Sequence, residues 1–207
     1  MVGVMAEQEF WSWFVRHEDE LFNFDPRQID ERERIFDALA TVLNEVDADL
    51  AFEFGPNGES KREFVISAGG IKKAFPAVIS LANAAPQLGR WRVIAFRPRR
   101  WPINVVELGS KRVDPKDVQF SLLDNGEKAG ISLFIPGFVQ GDVDFKQIGY
   151  LLLDEALGEY DVETRLGPIE MLPREASLDG NRYPLLDLPV LFDQLVSRLE
   201  GRSGKSS

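Results

Sequence analysis

Arginine and tryptophan are concentrated in residues 90–101, where five arginines and two tryptophans fall within twelve positions. A guanidinium group binds a phosphate or carboxylate through two parallel hydrogen bonds, and an indole stacks on a base or on arginine itself. The pattern therefore predicts a surface that binds an anionic ligand or another protein. We call it the Arg/Trp strip and define it by Arg90, Trp91, Arg92, Arg97, Arg99, Arg100 and Trp101.

The distribution of charge allows a second interpretation of the strip. The 207 residues carry a net charge of −10, yet residues 60–117 hold 12 basic and 4 acidic residues. The flanking segments are acidic, with 12 acidic against 4 basic residues in 1–47 and 15 against 8 in 118–207. Strip arginines that pair with these segments would form ordinary surface ion pairs, with the tryptophans in the core. Under this interpretation the segregated charge serves folding rather than ligand binding.

Clusters of carboxylates are the second group with chemical potential. They lie at residues 18–20, at residues 154–155 and at Glu159, Asp161 and Glu163, whose alternation predicts one face of a strand. Neighbouring carboxylates bind hard cations or act in acid–base catalysis. None of the clusters has the spacing of a calcium-binding loop. We therefore expect a solvated acidic face and predict no metal site.

Nucleophilic and zinc chemistry find no support in the sequence. The chain has no cysteine and a single histidine, His17, so thiolate ligands and a site with several histidines are excluded. No Gly-x-Ser-x-Gly motif supplies a serine nucleophile. Gly204-Lys205-Ser206 lacks the glycine that a phosphate-binding loop needs five residues earlier, where Leu199 stands. We predict no catalytic residue and no cofactor.

Hydrophobic periodicity predicts an α+β protein with antiparallel or mixed sheets and about five helices. Helices are expected at residues 6–22, 31–47 behind an Asp30 cap, 76–84, from Asp142 or Asp144 to 157, and after Asp187. In the first of these, an unbroken helix would place Glu18 on the apolar face, so either the helix breaks near His17 or Glu18 reaches a partner at the edge of the core. Strands are expected at residues 50–54, 62–68, 91–96, 104–108, 118–123, 130–135, 160–166 and 169–172. We expect strand 104–108 to pair with strand 91–96.

Two hairpins match each other at an offset of 68 residues, which places Phe52 on Phe120 and Asn57-Gly58 on Asn125-Gly126. With one further residue inserted, Trp91 falls on Tyr160. The match suggests two hairpin–helix–strand units, residues 50–108 and 118–172, each with a crossover that makes two strands parallel. Asn-Gly also follows from hairpin turn chemistry alone, so duplication is one of two interpretations.

The domain prediction has three parts. Residues 1–47 form a helical segment packed on the body, residues 48–200 form an α+β domain, and residues 201–207 form a flexible tail. The N-terminus lacks the basic and apolar regions of a secretory signal, and no apolar run reaches the ~18 residues of a spanning helix. We expect a soluble, cytoplasmic protein without a membrane partner.

Several segments resemble a family of uncharacterised bacterial proteins, over about residues 9–195. They are Phe10-Trp-Ser-Trp-Phe14, Leu50-Ala-Phe-Glu-Phe54, Glu63-Phe-Val-Ile-Ser-Ala68, Ala74-Phe-Pro76, Ala85-Pro86, Trp91-Arg-Val-Ile-Ala-Phe-Arg97 and Leu153-Asp-Glu-Ala-Leu-Gly-Glu159. The resemblance implies a bacterial, cytoplasmic, globular protein. It implies no catalytic residue and no cofactor.

The resulting functional expectation is a non-catalytic binding or interaction protein. One alternative is a hydrolytic or phosphate-handling enzyme that combines the strip with carboxylates. A second is nucleic-acid binding through residues 60–117, which the overall negative charge disfavours. A pocket that joins Arg97, Arg99 or Arg100 to buried acids would favour the enzyme, whereas arginines paired with the acidic segments would argue against the strip as a binding surface. The oligomeric state is not predicted.

Overall fold

The computed structural model describes residues 2–55, 61–177 and 180–203. The chain divides into two compact units, Met1–Arg97 and Pro98–Ser207, which we call the N-terminal and C-terminal units. Each unit has its own hydrophobic core and combines helices with a sheet, which confirms the α+β class. The division differs from the predicted boundary at residue 47 because the first three helices share one core with the strands that follow them. It falls inside the Arg/Trp strip.

In the part of the N-terminal unit that the structure describes there are four α-helices: α1 (Val2–Arg16), α2 (Glu18–Asn23), α3 (Ile29–Asn44) and α4 (Phe75–Asn83). Of the two alternatives at Glu18, the break near His17 is found, since His17 separates α1 from α2, and Glu18 also pairs with Arg90. The prediction that Asp30 caps α3 was wrong. The helix begins at Ile29 behind Gln28, so Asp30 lies in the first turn, where its charge favours the helix dipole instead.

Three strands form the sheet of this unit: β1 (Ala51–Phe54), β2 (Arg62–Ser67) and β3 (Trp91–Ala95). β1 and β2 are antiparallel, and β3 returns parallel to β2 through α4, which gives the order β1-β2-β3. Aromatic rings from α1 pack on the sheet, with the rings of Phe14 and Phe64 at 4.9 Å and those of Phe14 and Trp91 at 5.3 Å. The predicted turn at Asn57-Gly58 lies outside the described residues.

The C-terminal unit contains a hairpin, a four-stranded sheet and three helices. Its elements are β4 (Val106–Leu108), β5 (Lys111–Val113), β6 (Gln119–Asp124), β7 (Ala129–Ile135), α5 (Val143–Leu157), α6 (Glu159–Arg165), β8 (Leu166–Pro173), β9 (Tyr183–Pro184) and α7 (Leu188–Ser203). The sheet order is β8-β7-β6-β9, with β7 and β8 parallel. The β6–β7 hairpin and the Asp142 cap of α5 are confirmed.

Two predicted strands required correction. The predicted strand 160–166 was wrong, because residues 159–165 form α6. Gly158 at φ +81° ends α5, and the new helix starts with acidic residues and closes with Arg165, whose Nε lies 3.4 Å from Oδ1 of Asp161 one turn earlier. The predicted pairing of residues 104–108 with β3 was also wrong. β4 turns at Gly109, which adopts the positive φ of a tight hairpin turn, and pairs with β5.

Both units contain an antiparallel hairpin followed by a helix and a strand parallel to the second hairpin strand. This is the topology that the internal match predicts, and whether it arose by duplication stays a prediction. The alignment of Trp91 with Tyr160 fails because Tyr160 lies in α6, and the strand equivalent to β3 starts at Leu166. The predicted first repeat also extends too far, since β4 belongs to the C-terminal unit.

The last helix continues to Ser203, beyond the predicted start of the tail at Gly201. Residues 204–207, with Gly204-Lys205-Ser206, lie outside the described residues. Among the helices that the structure describes, none has the length and apolar character needed to cross a membrane.

Candidate functional site

The Arg/Trp strip is divided between the two units. Arg90, Trp91, Arg92 and Arg97 belong to the N-terminal unit, and Arg99, Arg100 and Trp101 belong to the C-terminal unit. Each part is therefore described within its own unit.

The strip arginines of the N-terminal unit bind carboxylates. Arg90 donates to Asp19 at 2.6 Å and to Glu18 at 3.3 Å from its Nη2 and Nε atoms, and the hydrogen bond to Asp19 raises the pKa of Arg90. Arg92 pairs with Glu63 of β2, and Arg97 pairs with Glu53 of β1. These ion pairs thus connect β3 and the residues on either side of it to α2, β2 and β1.

Arg99 carries the main ion-pair network of the strip in the C-terminal unit. Its guanidinium donates to both carboxylate oxygens of Asp193 at 2.9 Å, to Asp161 at 2.7 Å and to the carbonyl of Leu157 at 2.8 Å. The hydrogen bonds to Asp193 and Asp161 raise the pKa of Arg99 against the opposing effect of burial. The pairs of Arg90 and Arg99 agree with the second interpretation of the sequence, in which strip arginines meet the acidic flanks.

The remaining strip residues behave differently from one another. The main-chain amide of Arg100 donates to the carbonyl of Glu155 at 2.8 Å. The side chain of Trp101 is 74% exposed, whereas Trp91 is 2% exposed and lies in the core of the N-terminal unit. Trp91 nevertheless lines a groove of the N-terminal unit.

β3 is an edge strand of the N-terminal sheet. A strand bonds its parallel neighbour through alternate residues. The amide of Arg62 donates to the carbonyl of Arg90, and the amide of Phe96 donates to the carbonyl of Ile66, so the even-numbered residues of β3 face β2. The main-chain groups of Val93 and Ala95 consequently point away from the sheet. Val93 is half-buried and Ala95 is exposed, so this part of the edge is accessible.

A groove of about 630 Å³ lies beside this edge. It runs between β3 and the end of α4, and we call it the β3 groove. Its lining combines small apolar side chains with one ammonium, one amide and one indole: Lys61, Ala82, Ala85, Pro86, Gln87, Leu88, Gly89, Trp91 and Val93. The Nζ of Lys61 donates to the carbonyl of Leu88 at 2.8 Å, which fixes the loop that closes the groove.

The indole of Trp91 contributes a donor without an acceptor. Within residues 2–55, 61–177 and 180–203, its Nε1 is the one buried side-chain nitrogen or oxygen that has no hydrogen-bond partner. Its surroundings are aromatic, with the ring of Phe22 at 5.5 Å and that of Phe54 at 5.4 Å. A buried polar group left unsatisfied costs about 1–3 kcal/mol. The N–H of Trp91 is therefore a costly feature of a strand that also borders an open groove.

A second groove of about 790 Å³ shares Pro86 with the first. It lies between α1 and the end of α4 and is lined by Gln8, Trp11, Ser12, Val15, Arg16, Ala84 and Pro86. Here the indole is satisfied, because Nε1 of Trp11 donates to the carbonyl of Leu81 at 2.8 Å. The two grooves of this unit are thus lined by one tryptophan whose indole N–H is hydrogen-bonded and one whose indole N–H has no partner among the described residues.

The acidic clusters form no metal centre within the described parts of the chain. Glu18 and Asp19 hold Arg90, and Asp161 holds Arg99 and Arg165. The predicted single face of Glu159, Asp161 and Glu163 was wrong, because these residues lie on α6 and Glu159 is fully buried. His17 stacks on Trp13 at 4.2 Å, and its Nδ1 lies 2.8 Å from the Trp13 carbonyl, which is a boundary role between two helices.

Sequence reasoning missed Arg62, which is 6% exposed. Its guanidinium donates to the carbonyls of Gly55 at 3.0 Å, Leu21 at 3.0 Å and Phe22 at 3.1 Å. It also lies 4.7–5.6 Å from three aromatic ring centres, and burial lowers its pKa. Among the described residues, Arg62 is held by three carbonyls and no carboxylate, so it stabilises the fold and is not an anion site.

The groove residues Lys61, Ala82, Ala85 and Gln87 were also missed. Their sequence signal is weak, since a helix end followed by Pro86 and Gly89 predicts a loop but not a cavity. A scan of the chain against family models gave no match, and searches of curated proteins and of solved structures found no similar protein. The resemblance to a bacterial family stays a prediction.

Proposed function

We propose that this protein is a non-catalytic binding protein and that the β3 groove is its contact surface. The observation that carries the proposal is the buried Nε1 of Trp91, which lacks an acceptor while its ring lines the groove. A ligand that brings a carbonyl or carboxylate oxygen to this nitrogen would satisfy the donor. The groove has the volume of a small-molecule or peptide site and the small apolar lining that such sites have.

The strip arginines support this location indirectly. Arg90, Arg92, Arg97 and Arg99 already hold carboxylates of their own unit, so their guanidinium groups position β3 or brace the C-terminal helices. This observation favours neither the phosphate-handling enzyme nor nucleic-acid binding through residues 60–117. A bacterial origin and a cytoplasmic location stay predictions from the sequence.

Tryptophan indole resonances provide a direct test. The four indole N–H signals are assigned by single Trp→Phe replacements in ¹⁵N-labelled protein, which is then titrated with acetate, acetamide and N-acetylalanine methylamide. We expect at least one probe to shift the Trp91 signal saturably. The signal of Trp101, which is exposed in the other unit, and that of Trp11, which is already bonded, serve as internal references.

A matched pair of variants localises the effect. Ala85→Leu places a larger side chain in the β3 groove and partly fills it, whereas Ala84→Leu places the same side chain in the second groove. The Trp91 response should weaken in Ala85→Leu and persist in Ala84→Leu. A Trp91 signal that responds to no probe, or that moves only as much as Trp101, would refute the proposal.

A further inference from the structure

We infer that the partner of the β3 groove is an extended peptide segment of another protein, which adds to β3 as a fourth strand. This inference rests on the proposed function and names the class of ligand. The main-chain amides and carbonyls of Val93 and Ala95 point outward with a period of two residues. Donors and acceptors in that pattern are complemented by another strand, which is how peptides bind to exposed sheet edges.

The groove defines which side chains the peptide carries. Side chains of an added strand alternate between the two faces of the sheet. On the face shared with Trp91 and Val93 they enter a recess lined by Ala82, Ala85 and Pro86. An apolar residue fits there.

The opposite face favours an acidic residue. Arg92 alternates with Trp91 and Val93, and its side chain is 64% exposed although it pairs with Glu63. Because a guanidinium has five N–H donors, it can donate to a second carboxylate beside the first. The inferred segment therefore alternates apolar and acidic residues.

The same charges disfavour a second copy of this chain as the occupant. Edge-to-edge pairing of two β3 strands would bring Arg90, Arg92 and Arg97 of both copies to one seam. Like charges opposite one another on paired strands are destabilising. A foreign acidic strand meets no such repulsion.

The experiment uses the full chain and a phage-displayed library of random ten-residue peptides. Selected peptides are synthesised, and their affinities are measured by fluorescence anisotropy for the wild type, Ala95→Pro and Ala95→Val. Ala95→Pro removes one outward amide and leaves the bonds to β2 intact, since those use the even-numbered residues. Ala95→Val keeps the amide and is the matched control.

We expect Ala95→Pro to weaken binding by about tenfold, the equivalent of one hydrogen bond lost at the interface, and Ala95→Val to leave it unchanged. Should Ala95→Pro fail to fold by circular dichroism, the peptides themselves decide the question. N-methylation of the alternate residues that face β3 abolishes binding to the wild type, and methylation of the other set does not.

Three outcomes would overturn the inference. Selected peptides that shift the Trp91 indole but tolerate both N-methylation patterns would leave the groove as a binding site and remove the added strand. Failure to select any peptide, together with a Trp91 response to the small probes, would have the same meaning. Sedimentation that shows a wild-type dimer and an Ala95→Pro monomer would assign the edge to a second copy.

Discussion

The two buried tryptophans of the N-terminal unit allow a matched test of the unsatisfied donor. Trp11 and Trp91 are 4% and 2% exposed, and replacement by Phe removes the same atoms from each. Nε1 of Trp11 donates to the carbonyl of Leu81 at 2.8 Å, whereas Nε1 of Trp91 has no partner among the described residues. Only the first replacement breaks a hydrogen bond.

The expected magnitudes differ for a physical reason. Trp11→Phe loses a hydrogen bond and leaves the Leu81 carbonyl, near the end of α4, without its donor, at a cost of about 1–3 kcal/mol beyond the loss of packing. Trp91→Phe incurs the packing loss but removes a buried donor that was already costly. We expect Trp11→Phe to be less stable than Trp91→Phe by about 2 kcal/mol.

Urea unfolding measures this difference. With a slope of about 2 kcal/mol per molar urea, the two midpoints should differ by about 1 M. Trp101→Phe, at an exposed position, should leave the midpoint unchanged. If Trp91→Phe lowers the midpoint as much as Trp11→Phe does, the indole of Trp91 has a partner in solution and the argument for the β3 groove fails.

Further predictions concern the ties that hold each unit. Arg62→Met should destabilise the protein by about 3–5 kcal/mol in urea unfolding, since three buried carbonyls lose their donor; a loss below about 1 kcal/mol would show that water replaces it. Gly158→Ala should cost about 1–3 kcal/mol because φ +81° and ψ 144° are strained for any side chain, while Gly201→Ala in α7 should be neutral or stabilising in the same assay. The hydrogen bond from Lys111 lowers the pKa of Asp142. The Asp142 carboxylate therefore contributes fully to the free energy of unfolding above its pKa in the unfolded chain, and this contribution is lost as the pH falls through its pKa in the folded protein. Asp142→Asn should flatten the acid limb of a curve of stability against pH, and an unchanged limb would contradict this.

The local patterns of the sequence predict most elements, but they do not predict partners. The β3 segment is clearly predicted as a strand, yet it pairs with β2, which precedes α4 in the sequence, and not with residues 104–108. Proximity in the sequence favours residues 104–108 as the partner of β3, but the short turn at Gly109 pairs them with β5 instead. The predicted strand 160–166 is instead helix α6 over residues 159–165, because an alternation of acids also fits a short amphipathic helix in which Val162 is buried.

The candidate site was less predictable than the fold. Trp91 stood out by residue type, but its unsatisfied nitrogen depends on the aromatic rings that surround it after folding. Arg62 resembled every other basic residue of segment 60–117, and burial alone distinguishes it. The open edge of β3 depends on the strand order, which is a property of the whole unit.

The strip and the groove are connected by the role of β3. Arg90, just before the strand, forms an ion pair with Asp19 of α2, and Arg92 within it pairs with Glu63 of β2. Arg97, two residues after the strand ends, pairs with Glu53 of β1. Exposed ion pairs contribute little to global stability, so their physical effect is to orient an edge strand that would otherwise be held on one side only. A strand fixed in this way presents Val93 and Ala95 in a defined geometry, which reduces the entropy that a partner must lose on binding. In the proposed function, the basic segment would serve binding by positioning the edge, and the contact itself would be made by main-chain groups and by Trp91.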